Sequence, residues 1–247
     1  MLPPAALITL HEPERTNSSS TSAARGRILL PRSETASYFP AMHLTLEDLQ
    51  ARPAAYRRDL INTLPGPRSV HLIGTKGYKG TENLAVFNSV VHVGASPPLL
   101  GFIMRPLTVP RHTYHHIRAN KWFTLNTLHP DFLEAAHQTS ANYDLKESEF
   151  SATGLSPEYS ERCKAPYVKE SSIKLGLTLE EEYPIRANGT IFLIGRVQEI
   201  FVPEEAVAES GHVDHQLLKT LTVAGLDTYQ QTTDSVRLSY ARPGHNT

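Results

Sequence analysis

Two adjacent prolines, Pro97 and Pro98, stand in the middle of the most buried-looking stretch of the chain, residues 83–106, which reads NLAVFNSVVHVGASPPLLGFIMRP. Proline has no N–H to give to a strand ladder, so the pair has to mark a strand edge or a turn. The stretch therefore reads as two strands, residues 83–93 and 99–104, the second entered through ASPP. Asn83, Ser89 and Arg105 are polar residues spaced along it. A wall that is all core has no use for them, so part of this sheet is expected to face a ligand.

Runs elsewhere repeat the strand period of two. SVHLIGT (69–75) puts Val70, Leu72 and Gly74 on one face. KWFTLNTL (121–128) puts Trp122, Thr124 and Asn126 on one face and Phe123, Leu125 and Thr127 on the other. SSIKLGLTLEEE (171–182) turns Ile173, Leu175, Leu177 and Leu179 inward, GTIFLIGRVQEIFV (189–202) is the longest strand of the second half, and SVRLSYA (235–241) is a candidate final strand. KGYKGTE (76–82) reads as a hairpin loop.

Helices are short. Thr45 is placed to cap one, with Glu47 and Asp48 in a first turn whose dipole suits carboxylates. Leu46, Leu49, Tyr56, Leu60 and Ile61 share its apolar face, which Pro53 interrupts. Further helices are expected in RHTYHHIRAN (111–120), capped by Thr113, in DFLEAAHQTS (131–140) and in VDHQLLKTLTVAG (213–225). Residues 140–168 are polar and proline-bearing, and read as an excursion rather than core. Several strands joined by short helices imply a mainly antiparallel barrel rather than a doubly wound sheet.

With 247 residues, 40% hydrophobic and 20% charged, the chain can bury an ordinary globular core. A formal charge of -1 gives no global field to hold nucleic acid or an anionic membrane, and neither is expected as a partner. No apolar run approaches the roughly 18 to 20 residues of a spanning helix. The single cysteine, Cys163, excludes an internal disulfide, a CxxC pair and a thiolate zinc site, and fits a reduced cytoplasm. Residues 1–41 mix Pro, Ser and Arg with little periodicity, lack a basic region before their short apolar start, and carry a Ser/Thr-rich tract at 16–22. They are expected to be a disordered or non-native extension. Met42, a candidate true start, opens the folded domain expected over residues 42–247.

Several familiar chemistries are absent. Gly74, Gly77 and Gly80 fit neither GxGxxG nor GxxxxGK[ST], so no Rossmann fingerprint or P-loop is present, and there is no GxSxG. His112 and His116 are four apart without HExxH or carboxylates at ligand spacing, and His212 and His215 fare no better, so no metal is expected. An anionic phosphate needs an Arg or Lys, hydroxyls, and N–H groups near a helix start. Ser89, Arg105, Thr108, Arg111, His112 and Thr113 offer these together. The pattern points to a phosphorylated ligand without naming it, and a salt bridge from Arg105 capping a sheet edge is the competing reading.

The same segment, with RHTYHHI and KWFTLNTL, resembles the flavin reductase-like family of FMN-binding split barrels. That family pattern is Asn-x-Ala, a Ser a few residues later, Pro-Pro after a short turn, a strand, a Thr-bearing helix start and a strand ending in Asn. Here these are Asn83, Ala85, Ser89, Pro97, Pro98, Thr113 and Asn126. The likeness runs over most of residues 43–243, through AHQTSANY, APYVKESSIKLGL, NGTIFLIGRV and GLDTY. It implies an antiparallel split β-barrel, mainly β with short helices, that binds FMN. Asn83, Leu84 and Ala85 would meet the isoalloxazine edge. Ser89, Val90 and Val91 would line the ribityl side, and Arg105, His112 and Thr113 would hold the phosphate. Gln138, Thr139 and Ser140 would close over the flavin. The resemblance further implies a homodimer with FMN near the interface and hydride transfer from NAD(P)H, with no catalytic side chain required because the cofactor carries the difficult step. The central excursion and C-terminal region are longer than a bare barrel and could cover the flavin face. An FMN-bearing electron carrier with a redox-protein donor, and a non-catalytic flavin-binding dimer, are therefore the alternatives.

Overall fold

The fold was analysed in a computed structural model, which describes residues 41–238, 240, 242 and 243. The expected extension over residues 1–41 lies outside these, apart from residue 41. Twelve strands form in chain order: β1 (Arg68–Ser69), β2 (His71–Lys76), β3 (Glu82–Phe87), β4 (Val91–Ala95), β5 (Pro98–Met104), β6 (Trp122–Thr127), β7 (Pro157–Glu158), β8 (Tyr167–Val168), β9 (Lys174–Ile185), β10 (Thr190–Phe201), β11 (Leu221–Ala224) and β12 (Thr228–Gln231). Among the described residues five short α-helices accompany them, α1 (Leu46–Ala51), α2 (Ala54–Thr63), α3 (His112–Asn120), α4 (Leu133–Gln138) and α5 (Glu149–Thr153), with two single 3-10 turns at Pro130–Phe132 and Glu204–Ala206. The fold is mainly antiparallel β with short helices, as the resemblance implies.

Seven strands make one sheet in the order β3-β2-β6-β9-β10-β5-β4, with every neighbouring pair antiparallel. β3 and β4 are consecutive in the chain yet sit at opposite edges. A flat sheet of seven strands is about 29 Å from edge to edge, from six gaps of about 4.8 Å. Four residues of chain reach only about 14 Å, which is all that separates Phe87 from Val91. The sheet must therefore roll until its edges nearly meet at residues 88–90, and a split barrel results.

Ser89 fastens that seam: its hydroxyl donates to the Ile103 carbonyl at 3.2 Å and accepts from the Ile103 N–H at 3.1 Å. Ser69 adds a bond from its hydroxyl to the Val90 carbonyl at 2.9 Å. The single strand expected over residues 83–93 is thus two strands, because the chain crosses from one edge of the barrel to the other within it. Pro97 and Pro98 mark the β4–β5 turn, with Ala95 opposite Pro98.

Both faces of the sheet are covered. Ile73, Phe102, Phe123, Leu125, Leu177 and Leu193 meet in one cluster, and Leu72, Leu84, Leu128, Phe150, Leu155 and Val168 in a second. β2 serves both, since Leu72 and Ile73 point to opposite sides. Gly195 lets Phe123 lie against the backbone of β10: a Cβ there would stand 2.4 Å from the Phe123 Cζ.

Three expectations fail. Residues 140–168 are not a mere excursion, because Phe150, Leu155, Tyr167 and Val168 are buried, three of them in the second cluster. Residues 213–225 are no helix. The Asp214 carboxylate accepts from the N–H groups of Gln216 and Leu217, each at 2.9 Å, and Lys219 takes a left-handed φ of 48°. That turn ends any helix, and β11 follows, where Thr222 and Val223 prefer extended backbone. Residues 235–238 form no strand, and residues 239 and 241 fall outside the described set. Among the described residues the last strand is β12, at residues 228–231, paired with β11. Thr45 does cap α1, in a reciprocal pair with Asp48.

Candidate functional site

β3 is an edge strand, so half of its backbone groups have no partner strand. Beside that edge lies an open groove of about 1120 Å³. One wall is β3, with Asn83, Ala85 and Phe87, continued by Asn88 and Ser89 just beyond it. A second is the end of β5 and the following loop, through Met104, Arg105, Val109 and Arg111, into the first turns of α3. The β2–β3 hairpin contributes Gly77, Tyr78 and Lys79, closed by a bond from the Gly77 N–H to the Thr81 carbonyl at 2.8 Å. Residues 139–145 run along the remaining side.

Eight of the twelve residues singled out in the sequence line this groove: Asn83, Ala85, Ser89, Arg105, His112, Thr113, Thr139 and Ser140. Four do not. The Leu84 side chain is fully buried in the core, and its N–H is taken by a Glu149 oxygen at 2.9 Å. Val90 packs on the barrel interior. Val91 is on β4, at the far edge of the sheet, paired with Gly101. Gln138 is exposed and donates to the Tyr143 hydroxyl at 3.2 Å. Thr139, by contrast, is buried, its hydroxyl donating to the Ala136 carbonyl at 2.7 Å.

Thr113 does not cap α3. The helix starts one residue earlier, at His112, with Arg111 at the cap position and no side chain bonding the first N–H groups. Those amides have no acceptor within the helix and carry the positive end of its dipole into the groove. The Thr113 hydroxyl is 3.1 Å from the Asn83 amide nitrogen, which donates to it. The Asn83 amide also donates to the Thr75 hydroxyl at 3.1 Å, and Thr75 Oγ1 lies 3.3 Å from His116 Nδ1. All four of these side chains are buried.

Charge in the groove is mostly positive. Arg105 is exposed there and makes no hydrogen bond or ion pair with the described residues, so the salt-bridge reading of it falls away. Lys79, Arg111 and His115 stand around the same opening. Burial, with His115 nearby, holds the His112 imidazole below its ordinary pKa, while Asp144 opposes the shift. Burial and the neighbouring His112 and His115 push His116 down to about 4. Glu149 is the exception in sign. Burial raises its carboxyl pKa and the Leu84 N–H works against that rise.

This donor set fits a phosphorylated flavin. An unpaired guanidinium, a threonine hydroxyl and open amides at a helix start suit a phosphate, and the apolar strand beside them suits a flat ring. Three participants were not legible in the sequence. Thr75 and His116 read as strand and helix residues, and only the register of β2 against β3 and α3 brings them to Asn83. Glu149 was hidden in a segment whose polarity made it look peripheral.

Residues 66–220 match the family model of the Flavin reductase like domain. Among solved structures, a Shewanella frigidimarina protein with the split barrel domain of flavin reductases is 43% identical, covering 81% of this chain and 100% of its own, with a TM-score of 0.79. Nitrilotriacetate monooxygenase component B from Bacillus cereus is 23% identical, with 81% and 100% covered and a TM-score of 0.71. A Halalkalibacterium halodurans protein is 28% identical over 162 residues, 63% of this chain and 77% of its own.

Proposed function

The chain belongs to the flavin reductase-like family, and from that premise we propose that it is an FMN-binding oxidoreductase that takes hydride from NAD(P)H. The observation that carries the reading is Arg105, a cation without a partner among the described residues, lining the same groove as the uncapped start of α3. Arg105, Thr113 and the first amides of α3 hold the phosphate, and His112 borders it. Asn83, Ala85 and Ser89 supply the wall for the rest of the cofactor. Bound FMN supplies the two-electron chemistry, so no side chain has to act as acid or base.

What remains for the protein is binding, orientation and exclusion of water. Residues 139–145 flank the groove. Its volume, about 1120 Å³, is at the upper end of small-ligand pockets, about 1000 Å³, and is in keeping with a nicotinamide binding there as well. We further take the chain to work as a homodimer in the cytoplasm with FMN near the subunit interface. Among the described residues no helix is long and apolar enough to cross a membrane.

Anaerobic titration tests the reading. Purified protein loaded with FMN is expected to lose its yellow colour on addition of NADH or NADPH. Protein that holds FMN, ignores both nicotinamides and bleaches with a reduced ferredoxin or flavodoxin would move the donor to a protein. Protein that stays colourless after FMN is offered would end the flavin reading.

A further inference from the structure

Thr75, Asn83, Thr113 and His116 form an unbroken chain of side-chain hydrogen bonds at the base of the groove. Its direction follows from counting protons. Burial beside His112 and His115 keeps the His116 ring neutral at physiological pH, so its Nδ1 can act as an acceptor. The Thr75 hydroxyl then spends its one proton on His116. Thr75 must accept from its other neighbour, and Asn83 Nδ2 is placed at 3.1 Å to donate. The second amide hydrogen of Asn83 goes to Thr113, also at 3.1 Å. Thr113 is left accepting, with its own proton free, at the start of α3. The Asn83 Oδ1 accepts no hydrogen bond from the described residues.

The opposite polarity would present a different surface. If His116 gave a proton through Nδ1, Thr75 and Thr113 could both give theirs to Asn83 Oδ1. Thr113 would then meet a ligand as an acceptor, and an anion would be repelled. The choice between these arrangements lies at His116, which is three hydrogen bonds removed from Thr113. The far side of its ring lies close to Gly77, where a Cβ would stand 2.8 Å from His116 Nε2.

We propose that His116, acting through Thr75 and Asn83, is a positioning residue that turns the Thr113 hydroxyl into a hydrogen-bond donor for the ligand's phosphate. The inference rests on the phosphate assignment made under the proposed function. It predicts that His116 and Thr75 contribute to affinity for a phosphorylated flavin without touching its phosphate.

The test compares FMN with riboflavin, which lacks the phosphate, by quenching of flavin fluorescence on binding. His116→Leu is expected to weaken FMN about tenfold, the loss of one charge-assisted hydrogen bond, and to leave riboflavin unchanged. His116→Asn restores an acceptor where Nδ1 stood and is expected to bind FMN as the wild type does. Thr113→Val is expected to match His116→Leu. The double variant is expected to be no weaker than Thr113→Val alone, because His116 acts on the phosphate only through the Thr113 hydroxyl. Thr75→Val, nearly isosteric and severing the same chain, gives the same loss should His116→Leu fold poorly. Full additivity in the double variant, wild-type FMN affinity in His116→Leu and Thr75→Val, or equal losses for riboflavin would each overturn the inference. Wild-type protein that binds FMN no tighter than riboflavin would instead remove the phosphate assignment itself, and the inference with it.

Discussion

Replacing Arg105 by Ala tests its proposed phosphate role in isolation, because the side chain holds no other group among the described residues. It is exposed and has no hydrogen-bond or ion-pair partner among the described residues. Its removal should therefore leave the melting temperature of the unliganded protein within the scatter of surface substitutions, about 0.5 kcal/mol either way. The bound state is different. A hydrogen bond to a charged group contributes about 1.5–3 kcal/mol, and at about 1.36 kcal/mol per decade that is a loss of roughly 10- to 150-fold in FMN affinity. Riboflavin has no phosphate, so its affinity should hold. Titrating both flavins into wild-type and Arg105→Ala protein, with a thermal melt of each, reads all three quantities. Unchanged FMN affinity, or an equal fall for riboflavin, refutes the assignment of Arg105 to the phosphate.

Other perturbations test the frame around the groove. Ser89→Ala removes both bonds to Ile103 and should cost about 1–3 kcal/mol in urea unfolding, because an N–H and a carbonyl at the barrel seam lose their partner; a loss under 0.5 kcal/mol would show that the seam closes without it. Gly195→Ala drives a methyl into the Phe123 ring and should destabilise by about 1–3 kcal/mol, again by urea unfolding, whereas neutral behaviour would mean the ring moves freely. His71 is half-buried, with its Nδ1 shielded from solvent and without a partner among the described residues, and desolvation, helped by nearby His215, lowers its pKa from 6.5 to about 4. Its folded pKa lies below the unfolded one, so stability is full above pH 6.5 and falls as pH drops toward 4, by at most about 3 kcal/mol; His71→Met should flatten that slope. Glu149 has the reverse sign. Its raised pKa means its contribution is complete below the ordinary carboxyl range and declines as pH rises through the folded value, so Glu149→Gln should raise the melting temperature more at pH 8 than at pH 4.

Much of this site could be read from the order of residues, and the reasons are local. Pro97 and Pro98 dictate a turn wherever they occur, and the alternation of β6, β9 and β10 is strong enough to survive any packing. The groove residues Asn83, Ser89, Arg105 and Thr113 were visible because they are polar where a strand or loop should be apolar or indifferent. What stayed hidden depends on contacts far apart in the chain. The division of residues 83–93 into two strands follows only once the sheet curls, since nothing in VFNSVV announces a change of edge. Residues 213–225 have a helical spacing of leucines, but the Asp214 turn and the left-handed Lys219 override it. Glu149 was missed because a carboxylate in a polar stretch looks solvated, and its partner, the Leu84 N–H, is 65 residues away. His116, four residues from His112, has the spacing of a metal ligand without the rest of a metal motif, and the hydroxyl it faces, Thr75, lies 41 residues back.

The most direct measurement is a crystal structure of the protein grown with FMN. The account predicts a flavin in the groove beside β3, with its phosphate within hydrogen-bond reach of the Thr113 hydroxyl and the Arg105 guanidinium. A flavin bound elsewhere on the molecule, or one whose phosphate points away from the start of α3, would contradict it.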